Sequence, residues 1–218
     1  MIITKQKKLE DILTFLKPHQ RIFLVGCGSC ATLCQTGGED EIKEMKKILE
    51  KEGFEVTGYT IPDETCHIPL TERKLRENKK DLQKSDAVLV LACGAGVQSL
   101  SLSVKQPVYP GIDSLFIGNV IRYGSFQERC SACGNCYLGE TAGFCPVTSC
   151  PKGILNGPCG GVHEGKCEVD PENECVWIQI FERLKERGQL EKLKERKAPK
   201  KHHLKKSPNR LSVDKSKG

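Results

Sequence analysis

Three apolar runs stand out of a charged chain: RIFLVGCG at 21–28, FEVTGYTI at 54–61 and AVLVLACG at 87–94. Each is short, rich in branched residues and closed by glycine or a polar turn, which predicts buried strands. Between them the apolar period changes from continuous to helical. Leu9, Ile12, Leu13 and Leu16 predict a short amphipathic helix over 6–17, and Ile42, Met45, Ile48 and Leu49 predict a second from Glu39 to a C-capping Gly53. A polar helix follows from about Thr71 to Lys84, and PVYPG and SLFIGN suggest further extended segments before Arg129. Beyond Arg129 the periodicity dissolves into glycine, proline and cysteine. It returns in a helix from about Cys175 to Arg187, where Trp177, Ile180, Phe181 and Leu184 share one stripe.

Alternating strand and helix argues for an α/β fold with a parallel sheet. Three segments are expected: an α/β domain over 1–128, an irregular cysteine-rich metal- or cluster-binding domain over 129–187, and a disordered basic tail over 188–218. The formal net charge is +6, but from Glu191 onward eleven Lys or Arg stand against three Asp or Glu, so basicity belongs to the tail. A solvated end is the simpler reading of that tail, ahead of contact with nucleic acid. The longest apolar run, Ala87 to Val97, is too short to span a bilayer, and the lysine- and acid-bearing N-terminus does not look like a secretory signal. A cytoplasmic location is expected, where clustered cysteines are ligands rather than disulfides.

Cysteine carries the chemistry. Eight of the thirteen lie between Cys130 and Cys175, opening with CSACGNC at Cys130, Cys133 and Cys136. That spacing brings three thiolates toward one face of a metal or cluster, as in ferredoxin runs with a distant fourth ligand. Cys145 and Cys150 each precede proline, the form such a distant ligand takes; Cys159, Cys167 and Cys175 complete the group, and spacing alone does not divide it between centres. Upstream, Cys27, Cys30 and Cys34 follow the first apolar strand and Cys93 follows the third. Turns at the carboxyl edge of a parallel sheet can converge, so these four form a candidate iron-sulfur site, with Cys66 after the second strand as a fifth candidate. GCGSCA also fits a relaxed dinucleotide fingerprint, but three cysteines in the loop would crowd a pyrophosphate. His67 beside Cys66 reads as a surface residue; His163 is a candidate partner in a mixed zinc site.

In CxxCGxC, GxCPVxxCxKGxxNGPCGG, GKCEV and Trp177xxIle, residues 1–187 resemble the methylenetetrahydrofolate reductase C-terminal family, the small MetV-type iron-sulfur subunit of anaerobe reductases. GILNGPCGG is the most specific part. The resemblance implies 4Fe-4S clusters, two as the leading count and up to three centres, with zinc also possible. It further implies a flavin-bearing MetF-type partner that binds the folate, and a donor such as ferredoxin or a larger redox module. The chain has no TIM-barrel repeat of its own, so it is read as an electron-transfer subunit in one-carbon metabolism and not as the place of folate reduction. The alternatives are a zinc-stabilised structural adaptor of the same complex, and a thiol or methyl-transfer protein using a zinc-bound cysteine.

Overall fold

Two central strands explain the first half of the chain. In RIFLV and AVLV every residue after Arg21 is fully buried, which an apolar strand tolerates only when both faces of its sheet are covered. The computed structural model describes residues 1–205 and 207–212. In chain order its elements are β1 (Ile2–Gln6), α1 (Leu9–Leu16), β2 (Arg21–Val25), α2 (Cys30–Leu33), α3 (Glu39–Lys51), β3 (Glu55–Thr60), α4 (Ile68–Glu77), α5 (Lys79–Lys84), β4 (Ala87–Val90), α6 (Gly94–Ser101), β5 (Val108–Pro110), β6 (Ile112–Arg122), β7 (Ser125–Cys130), β8 (Val162–His163), β9 (Lys166–Cys167) and α7 (Val176–Glu186). Two 3-10 turns follow, Leu190–Leu193 and His202–Lys205.

The chain divides into two compact units, Met1–Gln127 and Glu128–Gly218. The first contains the expected α/β arrangement: a four-stranded sheet in the order β3-β2-β4-β5, all of whose pairs are parallel. Order reverses between β2 and β4, so a crevice is expected at the carboxyl ends of those two strands. Ile12 and Leu16 from α1, Ile42, Met45 and Leu49 from α3, and Leu75 and Leu100 from α4 and α6 close the core around the sheet. At the opposite edge Asp86 accepts hydrogen bonds from the Gln20 and Arg21 amides and from the Arg21 guanidinium at 2.6 Å, pinning the starts of β2 and β4 together.

A second sheet, β1-β6-β7, was not expected. β1 pairs antiparallel with β6, Ile2 opposite Ile117 and Gln6 opposite Ile112. The polar helix expected over 71–84 is two helices meeting at Asn78, whose side-chain amide donates to the Lys74 carbonyl.

The second unit has little apolar core. Its buried apolar cluster is Ala142, Val176, Trp177, Ile180 and Leu184; Phe181, expected on the same stripe, is 43% exposed. Part of the basic tail is hydrogen-bonded to the rest of the second unit. Asn156 exchanges two hydrogen bonds with the backbone of Lys197, donating at 2.9 Å and accepting at 2.7 Å, and the Lys192 ammonium donates to the Gly139 carbonyl at 2.9 Å. Residues 213–218 of the expected tail, and Lys206, lie outside the described residues.

Candidate thiol sites

Loops leaving three parallel strands are laced together at one sheet edge. After β2, the Cys27 amide donates to the Gly37 carbonyl and the Gly28 amide to Pro62, each at 2.9 Å. After β3, the Thr65 hydroxyl donates to the Gly26 carbonyl at 2.6 Å. After β4, Cys93 precedes α6, from which the Ser99 hydroxyl donates to the Cys66 carbonyl at 3.2 Å. Gly37 is required here: a Cβ on it would stand 1.9 Å from the Leu91 carbonyl oxygen.

Cys27 and Cys93 are buried at this edge. Burial pushes the Cys66 thiol above its ordinary range, and the neighbouring Cys93 and Cys27 thiols push it further. Cys27, Cys66 and Cys93 thus lie on three loops that are hydrogen-bonded together at this edge. Cys30 and Cys34, expected in the same site, both meet the backbone of Ile2: the Ile2 amide donates to Cys30 Sγ at 3.4 Å, and Cys34 Sγ lies 3.9 Å from the Ile2 carbonyl. The turn of α2 directs them to the free edge of β1. β1 is a short strand with no sequence signal of its own.

In the second unit, Cys130 Sγ accepts the Ala132 amide at 3.3 Å, and Ala132 reaches this position through a left-handed φ of 49°. Cys133 Sγ donates to the Asn135 carbonyl at 3.5 Å. The Lys200 ammonium beside it holds the Cys133 thiol below the ordinary range. That ammonium is buried, lies 5.2 Å from the centre of the Tyr137 ring and has no nitrogen or oxygen acceptor among the described residues. Nothing in the basic run around Lys200 marks it out in the sequence. Cys136 is exposed. The Thr148 hydroxyl donates to the Arg129 carbonyl at 3.2 Å, tying the Cys145–Cys150 turn to the start of this loop.

Cys150, Cys159, Cys167 and Cys175 line a single small cavity of about 20 Å³. His163, expected as a possible zinc partner, is exposed on β8 and does not line it. His67 caps α4, its Nδ1 accepting the Leu70 amide at 3.4 Å, which accounts for it structurally. All thirteen cysteines are free thiols. Among the described residues, no three His, Cys, Asp or Glu side chains close on a common point as they do around a bound ion. A larger cavity of about 740 Å³, unforeseen in the sequence, lies between the Leu155–Pro158 loop, Trp177 and Phe181 of α7, and Leu193–Lys197.

Residues 109–203 match the family described as Methylene-tetrahydrofolate reductase C terminal. The match includes all eight cysteines of the second unit. It also extends to residue 203, so it takes in about half of the tail at 188–218, while residues 1–108 lie before it. No curated protein and no solved structure matches the chain.

Backbone amides are aimed at the sulfurs of Cys130 and Cys159, an arrangement that would steady sulfur in a thiolate-bound centre, and a buried ammonium without an oxygen acceptor would complement an anionic group beside Cys133. Among the described residues no helix is long and apolar enough to cross a membrane.

Proposed function

We propose that this chain is an iron-sulfur electron-transfer subunit serving a flavin-bearing methylenetetrahydrofolate reductase partner of the MetF type, with ferredoxin or a larger redox module as donor. The family match supports a role related to that reductase. The observation that carries the electron-transfer reading is the Lys200 ammonium, buried beside Cys133 of the CxxCxxC loop without an oxygen or nitrogen acceptor among the described residues.

An iron-sulfur centre supplies one-electron steps between a donor and a flavin. The chain's own residues set its surroundings. Cys130, Cys133 and Cys136 are the local ligands, with Cys145 as the distant fourth, and the Ala132 amide holds the first sulfur in place. Lys200 offsets negative charge on the bound thiolates. In the first unit, Cys27, Cys66 and Cys93 are the convergent ligands, with Cys30 or Cys34 as a fourth; burial of Cys27 and Cys93 keeps water from the sulfur. Flavin and folate chemistry belong to the partner.

The test is an anaerobic visible spectrum of the purified chain before and after dithionite. A broad absorption that bleaches on reduction, and that falls by about one cluster's share in Cys133→Ser, is expected. A colourless protein, or a Cys133→Ser variant with unchanged absorption, would reject the assignment.

A further inference from the structure

Phe181 belongs to the apolar stripe of α7, yet 43% of it is exposed, and it lines the cavity of about 740 Å³ in the second unit. We infer that this cavity is a binding site for a small molecule: a flat aromatic ring with an N–H donor, bearing a single carboxylate.

Size and lining are the first argument. Small-molecule pockets measure roughly 300–1,000 Å³ and are mostly apolar, with a few polar groups that fix orientation. The cavity falls within that range and far exceeds the water-sized voids of a packed interior. Trp177 and Phe181 stand one helical turn apart on one face of α7, and both rings belong to the lining, with Leu155, Pro158 and Leu193 completing its apolar part. Leu193, like Phe181, is left partly in water, 36% exposed. A flat ring entering the cavity would bury the apolar surface that these two residues leave open.

The walls are held by bonds that need no occupant. The Trp177 indole is fixed by its hydrogen bond to the Ile154 carbonyl at 2.9 Å. Asn156 binds the Lys197 backbone in both directions, clamping the Leu155–Pro158 loop to the segment after Leu193. That segment is braced in turn by the Lys194 amide, which donates to the Glu191 carbonyl at 3.0 Å. A site formed in advance spends less of its binding energy on ordering itself.

Charge selects the ligand. Lys194 is ion-paired with Glu191 at 2.7 Å. The other charged groups of the lining are Arg196, Lys197 and Glu195 on the segment after Leu193, and Glu182 on α7; none of the four is in an ion pair among the described residues. Glu195 offsets one of its two neighbouring cations, so one wall has a surplus positive charge and the other a negative one. A carboxylate suits the first wall, where the guanidinium of Arg196 offers a planar fork. An N–H group on the ring suits Glu182, which only accepts hydrogen bonds when ionised. A polyphosphate is the wrong class, because its several charges would outnumber the surplus cation and stand against two carboxylates.

Equilibrium dialysis of the anaerobically purified full chain tests this with three probes: indole-3-carboxylate, its neutral amide, and naphthoate, which lacks the N–H. Indole-3-carboxylate should bind at a single site, about tenfold tighter than either of the others. Replacing both Arg196→Gln and Lys197→Gln should abolish its advantage over the amide, Glu182→Gln its advantage over naphthoate, and Phe181→Asp the binding of every probe. Arg196, Glu182 and Phe181 are exposed and Lys197 is half-buried, so the fold tolerates these changes. Absence of saturable binding, equal binding of the three probes, or variants that bind as wild type does would overturn the inference. It stands apart from the electron-transfer reading, since dialysis measures bound probe whether or not the chain holds iron.

Discussion

Single residues in this protein act chiefly by closing gaps between loops. Asp86 is the clearest electrostatic case. Its hydrogen bonds from the Arg21 guanidinium, and then from the Arg21 and Gln20 amides, lower its carboxyl to about 2 from an ordinary 3.8. A carboxylate whose folded pKa is depressed stabilises the fold above its unfolded pKa and loses that contribution as pH falls through the folded value. Asp86→Asn should therefore be less stable than wild type at pH 7, with the difference shrinking between about pH 4 and pH 2; urea midpoints across that range measure it, and a pH-independent difference would deny the linkage. Gly37 is the steric case. Because the added Cβ would meet backbone at Leu91 rather than a movable side chain, Gly37→Ala should cost about 1–3 kcal/mol, read in the same titration. Neither effect is visible in the sequence, since Asp86 and Gly37 are defined by partners 65 and 54 positions away.

At the scale of elements, the apolar runs at 21–28, 54–61 and 87–94 became β2, β3 and β4, and the stripes over 6–17, Glu39–Gly53 and Cys175–Arg187 became α1, α3 and α7. These were legible because burial forces an apolar period onto the chain. What escaped has weak periodicity: α6 in GAGVQSLS carries two glycines and two serines, and the two-residue strands of the β8–β9 hairpin are too short to show alternation. α7 is the element on which the second unit depends. Trp177 donates from its indole to the Ile154 carbonyl at 2.9 Å, and Ile180 and Leu184 are fully buried beneath it. Ile180→Ala should destabilise this unit by about 2–5 kcal/mol. Trp177 is the chain's one tryptophan, so its fluorescence reports that loss directly; an unshifted denaturation midpoint would mean α7 does not hold the unit.

For the whole molecule, two kinds of stabilisation meet in one chain. The first unit is built on a parallel sheet buried on both faces, and its thiols collect where strand order reverses. The second has a five-residue buried apolar cluster and eight cysteines. Spacing and density in the sequence single out the cysteines as candidate ligands, but not their grouping. The loop that carries Cys66 is bonded to the loop that carries Cys27, while Cys30 and Cys34 also meet the backbone of β1. Cys150, Cys159, Cys167 and Cys175 share a cavity although their spacing resembles no short metal motif. Such groupings depend on which loops the fold ties together, information that local spacing does not contain.

The central claim, that these thiols bind iron-sulfur centres serving a reductase, is tested most directly by counting iron, acid-labile sulfide and zinc per chain after anaerobic purification, with electron paramagnetic resonance after dithionite. About four to eight irons with matching sulfide and reduced-cluster signals are the expected result. Zinc with neither iron nor a reduced-cluster signal would contradict the account and leave the chain a structural adaptor.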